Sequence, residues 1–298
     1  MSLRLAVVAL LLISSGMAED RAAKSVDCSQ LLTWMVAGIP SQRLACLVAG
    51  RGIHFQVGES TARLLASVGT GNDLLAEMRK PGAFAAGMQS NECPYDLMQA
   101  AQLVHQRHYN DAEAIVRKVL AADPENVDLH MALGNLRVQQ DDIDEAFDDY
   151  SDAKDLDPNI PEIHNGLSYV FYRSNDGENA IAEARTALSI DPQNAEAYRY
   201  LGLGLYANEN YAAALHAFQE SLSRDPNRAE TYYDLGLAQS ADKKLSAAAE
   251  SYRNALRLNP GFLDAQSKLE LVLHELAPQR AAVGEELKSR SNSRASQQ

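Results

Sequence analysis

The apolar positions of this chain recur at the three- and four-residue intervals of helices that bury one face. Residues 195–207 and 211–224 show the pattern, and polar Asn208 lies between them, where the chain is expected to turn. The second helix should stop at Asp225, because Pro226 disfavours the helical conformation in the residue before it. The apolar positions are Ala197, Tyr198, Leu201 and Leu205 in the first helix, and Tyr211, Ala214, Leu215, Phe218 and Leu222 in the second.

This helical hairpin repeats every 34 residues. A proline after Asp or Asn ends each unit, an alanine recurs in each second helix, and a leucine, usually followed by glycine, recurs in the first helices. One hairpin cannot bury both of its faces, so neighbouring units are expected to stack into a solenoid. The register positions are Pro124, Pro158, Pro192, Pro226 and Pro260, then Ala112, Ala146, Ala180, Ala214 and Ala248, then Leu133, Leu167, Leu201 and Leu235, with Gly134, Gly202 and Gly236.

These registers resemble the tetratricopeptide-repeat (TPR) family over residues 93–276. The resemblance implies an all-α fold, a right-handed superhelix of five helix-turn-helix units, with a capping helix predicted over 263–277. Ser168, in place of the expected glycine, and Asp96 in the first unit depart from the family pattern. The predicted units are 93–126, 127–160, 161–194, 195–228 and 229–262.

Residues 25–82 predict a small helical domain before the repeats. Glycine and proline separate four short segments, and Ser60 and Asn72 are placed to cap two of them. The run 44–55 is similar to a short helical module of bacterial repeat proteins, and we expect a docking or capping role. A DNA-binding helix-turn-helix is disfavoured by the balanced charge and by an export signal. The predicted helices are 29–37, 41–49, 60–68 and 72–80.

The first 18 residues predict a secretory signal peptide, with Arg4 before an apolar run and small residues at a cleavage site. The alternative is an uncleaved anchor, but the apolar run is too short for a hydrocarbon core of ~30 Å. We therefore expect a periplasmic or secreted protein without stable membrane insertion. The polar residues 277–298 predict a disordered tail.

Export permits a disulfide among Cys28, Cys46 and Cys93, although three reduced thiols are the alternative and the sequence does not choose a pair. Residues 93–276 carry 31 acids and 15 bases, which argues against nucleic acid as a partner. Acids are densest over 141–157, where they predict either a solvated face or a docking site for a basic partner.

No catalytic motif accompanies the repeats. The sequence has neither a Gly-x-Ser-x-Gly elbow nor a His-Glu-x-x-His pair, and its short glycine runs do not continue into a phosphate loop. His105 and His108 share a helix, but two ligands rarely suffice for a metal. We predict no catalytic residues, no metal and no cofactor, hence no enzyme, and an active constellation assembled across repeats is kept only as the outlying hypothesis.

The TPR resemblance implies that the first helix of each unit lines a concave groove that binds a protein or peptide. Tyrosine is frequent there and offers contact area and a hydroxyl, although each tyrosine has packing between repeats as its alternative role. Two arginines among the tyrosines are candidates to grip a carboxylate. The groove residues implied are Asn135, Gln139, Asn165, Tyr169, Tyr172, Arg173, Arg199, Tyr200, Tyr206, Tyr233 and Asp234.

The sequence thus predicts an exported interaction scaffold or adaptor that holds a peptide or helix of a partner in the TPR groove. The alternative is a non-catalytic structural subunit of an envelope enzyme or export assembly. The oligomeric state and the identity of the partner are left open by the sequence.

Overall fold

The computed structural model describes residues 25–80 and 93–277. The predicted signal peptide and residues 278–298 of the predicted tail lie outside the described residues. The described residues are helical apart from turns and one isolated bridge between Val26 and Ile53. The helices are α1 (Cys28–Val36), α2 (Ser41–Arg51), α3 (Glu59–Ser67), α4 (Asn72–Met78), α5 (Tyr95–His105), α6 (Tyr109–Leu120), α7 (Val127–Gln140), α8 (Ile143–Leu156), α9 (Pro161–Arg173), α10 (Gly177–Ile190), α11 (Ala195–Ala207), α12 (Tyr211–Arg224), α13 (Ala229–Ala241), α14 (Leu245–Leu258) and α15 (263–277).

The chain divides into two compact units, unit 1 up to Gly166 and unit 2 from Leu167. Unit 1 holds both the four N-terminal helices and the first repeats. The predicted boundary between a small domain at 25–82 and a repeat array at 93–276 stays a prediction.

The N-terminal helices lie within two residues of their predicted bounds. The predicted caps are wrong, because α3 begins at Glu59 after Gly58 and α4 begins at Asn72 after Gly71, neither with a side-chain cap. Only α1 has one, in which the Asp27 carboxylate accepts from the Gln30 backbone N–H at 2.8 Å.

A disulfide between Cys28 and Cys93 ties the start of α1 to the residue before the first repeat, and Cys46 is free and exposed. The bond closes a loop with a sequence separation of 65 residues. It therefore chooses one of the pairings that the sequence left open. A loop of this length is worth roughly 4 kcal/mol of stability in the chain-entropy account.

Each repeat of the sequence is an α-hairpin, as predicted, and its second-helix alanine is fully buried. In four of the five repeats the residue before the register proline makes an Asx turn, as where the Asp191 carboxylate accepts from the Gln193 N–H at 3.0 Å. Asn194 then caps α11 through the Ala197 N–H. These local bonds explain why Asp-Pro and a following Asn recur between repeats.

The register glycines make room for an aromatic ring of the second helix in the same hairpin. A Cβ on Gly202 would lie 2.5 Å from the Phe218 ring, and one on Gly236 would lie 2.5 Å from the Tyr252 ring. Both rings are fully buried. The glycines therefore set how closely the paired helices approach.

The last described helix, α15, covers the final hairpin as the sequence predicted. Its Val272 and Leu276 join a buried cluster with Leu245, Ala249 and Tyr252 of α14. Among the described residues, no helix is both long and apolar enough to cross a membrane.

Candidate partner-binding groove

The first helices of unit 2 carry a cluster of partly exposed tyrosines, here called the tyrosine face. The Tyr169 ring lies 6.1 Å from the Tyr172 ring and 5.8 Å from the Tyr200 ring, centroid to centroid. Except for Tyr233, which packs on the α14 and α15 cluster, the tyrosines pack on a core that includes Leu203 and Phe218. The tyrosine face consists of Tyr169 and Tyr172 on α9, Tyr200 and Tyr206 on α11, and Tyr233 on α13.

Three hydroxyl groups of this face are available to donate hydrogen bonds to a ligand. Burial, followed by the charge of Asp234, raises the pKa of Tyr172 to about 12. Burial, followed by the charge of Asp264, raises the pKa of Tyr233 to about 12. Both phenols therefore stay neutral at physiological pH. Within the described residues, the hydroxyls of Tyr172, Tyr206 and Tyr233 have no hydrogen-bond partner.

Arg199 does not offer its charge to a partner, which corrects the expectation that it grips a foreign carboxylate. Its Nε donates to the Asp234 carboxylate at 2.6 Å, and the two side chains are 12% and 6% exposed. Burial opposes the guanidinium charge, but the charges of Asp234, Tyr200 and Glu196, together with the hydrogen bond to Asp234, outweigh it and raise the pKa of Arg199. The two residues neutralise each other inside unit 2.

A second internal ion pair lies beside the first. The Arg228 guanidinium donates to Glu196 at 2.6 Å, and the Tyr200 hydroxyl donates to the same carboxylate at 3.3 Å. Arg173 is exposed, and its guanidinium donates to the Tyr169 hydroxyl at 3.2 Å. The face is therefore aromatic, and the charged side chains at its centre are paired with one another.

The three remaining predicted groove residues belong to unit 1. Asn135 donates from Nδ2 to the backbone carbonyl of Val36 at 2.9 Å, so the chain itself engages it. Asn165 is 4% exposed, and neither atom of its amide has a hydrogen-bond partner. Gln139 is exposed.

The groove of the first repeats is occupied by α1, which packs against α5 and α7. The Asp128 carboxylate of α7 accepts from the Trp34 indole at 2.9 Å and from the Gln30 amide at 3.2 Å. In α9, Glu162 pairs with Arg43 of α2 at 2.9 Å.

The groove residues implied by the sequence did not include these acids. Asp128, Glu162 and Glu196 share one register position, and each accepts a donor from another element. Their 34-residue spacing was the signal that could have found them. Among the described residues, no group of three or more His, Cys, Asp or Glu is placed to hold a metal ion.

Comparison with known proteins bears on the repeats. A tetratricopeptide-repeat family model matches residues 97–161 and 200–261. The unmatched stretch between them contains Ser168 in place of the register glycine. No curated protein matches the chain.

Two solved structures share the fold at low sequence identity. TTC0263, a thermophilic TPR protein of Thermus thermophilus, is 18% identical to this chain with a TM-score of 0.55. The match covers 60% of this chain and 97% of the TTC0263 chain. PilW is also 18% identical to this chain with a TM-score of 0.55, and the match covers 66% of this chain and 91% of the PilW chain. The fold class is all-α, and the chain carries a tetratricopeptide-repeat segment of the TPR family.

Proposed function

We propose that this chain is an exported interaction scaffold that binds a peptide or helix of a partner protein on the tyrosine face of unit 2. The observation that carries the proposal is the set of partly exposed tyrosines whose hydroxyls at Tyr172, Tyr206 and Tyr233 have no partner among the described residues. Rigid aromatic side chains with a free polar tip contribute strongly to interfaces at low entropic cost. TPR segments act generally as scaffolds for proteins and peptides, which supports a binding role over catalysis.

The chemistry of the face defines the partner. Because the Arg199–Asp234 and Glu196–Arg228 pairs are internally satisfied, the centre favours apolar side chains over charged ones. The phenol hydroxyls suit backbone carbonyls or polar side chains of the ligand.

Export is supported by two features. The first 18 residues have the composition of a signal peptide, and Cys28 and Cys93 form a disulfide, which persists in oxidising compartments. We propose a periplasmic or secreted location on these grounds.

The binding site is tested by selecting peptides from a random phage-displayed library against the oxidised chain from Glu19 onward, then measuring affinity by calorimetry. The informative variant is Tyr172→Phe/Tyr206→Phe/Tyr233→Phe, which removes three hydroxyls and keeps the rings. We expect binding about tenfold weaker or worse, since each lost hydrogen bond is worth about 1 kcal/mol. The melting temperature should be unchanged.

The matched control is Tyr95→Phe, because Tyr95 lies on α5 in unit 1 and its side chain is 71% exposed. Arg199 is left intact, because its removal strands the buried Asp234 charge and costs about 3–5 kcal/mol. Equal affinity of the triple variant and the parent chain contradicts the proposed site.

If no peptide is selected, and the chain instead purifies in fixed stoichiometry with an assembly, the repeats serve as a structural subunit. PilW, which shares the fold, is a type IV pilus biogenesis factor. That role illustrates the kind of assembly this alternative entails.

A further inference from the structure

Helix α1 lies in the groove of the first repeats in the manner of a bound ligand. It packs against α5 and α7, the first helices of two successive hairpins. Its apolar residues Leu31, Leu32 and Trp34 are at most 5% exposed. An amphipathic helix laid into an apolar groove is a recurrent mode of peptide recognition.

Polar contacts fix the position of this helix at both ends. Asp128 accepts from Gln30 and Trp34, which are one helical turn apart on the same face of α1. Asn135 donates to the carbonyl of Val36, the last residue of α1, where a helix leaves its carbonyls unsatisfied. The groove therefore recognises a helix with N–H donors on one face and a free C-terminal end.

The disulfide ties the first residue of α1 to the residue before the first repeat. Cys28 is the first residue of α1 and is 1% exposed, whereas Cys93 is only partly buried. While the bond is intact, α1 stays tethered to the start of the first repeat. Opening it leaves residues 29–92 as the connection, so the local concentration of α1 at the groove falls.

We propose that the groove of α5 and α7 is a second binding site, for an amphipathic helix with indole or amide donors on one face, and that the Cys28–Cys93 disulfide keeps α1 in place of that partner. The site belongs to unit 1 and does not depend on the function proposed for the tyrosine face.

Opening the site requires a dithiol reductant, such as a Cys-x-x-Cys oxidoreductase. One of its thiolates attacks the Cys93 sulfur and Cys28 leaves as a thiolate. The second thiol of the reductant then attacks the mixed disulfide and releases Cys93. The reductant loses two electrons and becomes a disulfide, while the protein gains two thiols.

The first measurement uses Trp34, the only tryptophan of the sequence, as a reporter of α1 docking. Its emission is followed in urea beside far-ultraviolet circular dichroism, for the oxidised chain and for the chain reduced with dithiothreitol. In the reduced chain, we expect the emission to shift to the red at lower urea than the loss of helix. Coincident transitions in both redox states would overturn the proposal, since α1 would then be an inseparable part of the core.

The second measurement uses a fluorescein-labelled peptide of residues 25–39 with Cys28→Ser, and a C28S/C93S/W34A chain whose own α1 docks weakly. We expect micromolar binding by anisotropy, with the oxidised parent chain at least about tenfold weaker. Adding Asp128→Ala should weaken binding by about tenfold or more, because it leaves the indole unpaired.

A ligand selected for the tyrosine face serves as the control and should bind equally with and without Asp128→Ala. Binding of the α1 peptide that ignores Asp128→Ala, or no binding to an opened chain that retains its helical circular dichroism, contradicts the second site.

Discussion

At the residue scale, one carboxylate is buried at a cost to stability. Asp149 of α8 is 8% exposed and lies 3.2 Å from Nε of Arg137. Burial raises the pKa of Asp149 to about 6, against the opposing charges of Arg137 and His130. The position lies in the acidic run that the sequence singled out. The neighbouring acids Asp148 and Asp152 are exposed, as expected of a solvated face.

This raised pKa predicts a pH dependence of unfolding. The folded chain holds a proton on Asp149 up to about pH 6, whereas the unfolded chain loses it near its ordinary pKa of about 4. The contribution of protonated Asp149 to the free energy of unfolding is therefore fully present below pH ~4 and is lost as the pH rises through about 6.

We expect Asp149→Asn to stabilise the chain at pH 7 by about 1 kcal/mol after allowance for solvent screening, raising the melting temperature by a few degrees. The gain should vanish at pH ~4. Thermal melts across this range are the measurement, with Asp148→Asn as the exposed control. A lower melting temperature for Asp149→Asn at pH 7 would mean that the Arg137 ion pair outweighs burial.

At the scale of elements, the hairpins were predictable because each register is a packing requirement that recurs. The turn inside each hairpin was less visible, since it places a non-glycine residue at positive φ. The five residues are Arg107, Asp141, Asn175, Glu209 and Lys243. Only Asn175 and Asp141 are residue types that favour this conformation, so composition alone does not reveal the turn.

The departure at Ser168 also has a physical explanation at this scale. Sixteen residues after each register glycine stands an aromatic ring, Phe218 after Gly202 and Tyr252 after Gly236. After Ser168 the equivalent residue is Ala184. A larger residue in the first helix is thus paired with a smaller one in the second.

This pairing predicts that substitutions at positions 202 and 218 have strongly non-additive effects on the free energy of unfolding. Gly202→Ala alone should cost about 1–3 kcal/mol, because the new Cβ meets the buried Phe218 ring. Phe218→Val alone should cost about 2–4 kcal/mol through a cavity. The double variant recreates the Ala100 and Val116 pair of the first hairpin.

Urea unfolding of the four chains gives the coupling as a double-mutant cycle. We expect the double variant to be more stable than the sum of the single effects by about 1 kcal/mol or more. Strict additivity would show that the ring and the glycine are not in competition.

At the scale of the whole molecule, the sequence predicted a groove but not which of its residues are engaged by other parts of the chain. The TPR resemblance implied the tyrosines of unit 2 as groove residues. The packing of α1 on the first repeats was not predicted, because it depends on contacts such as Trp34 with Asp128, which are 94 residues apart. The internal pairing of Arg199 with Asp234 was hidden for the same reason, since 35 residues separate them.

Amide hydrogen exchange of the oxidised chain, with and without a selected peptide, tests whether a partner binds on the tyrosine face. We expect the peptide to increase protection in α11, α13 and the 167–173 part of α9, where the tyrosine face lies. Protection in α7 should not change, because α1 already covers it. Protection confined to α7, or to the second helices α12 and α14, would contradict the assignment of the tyrosine face as the partner site.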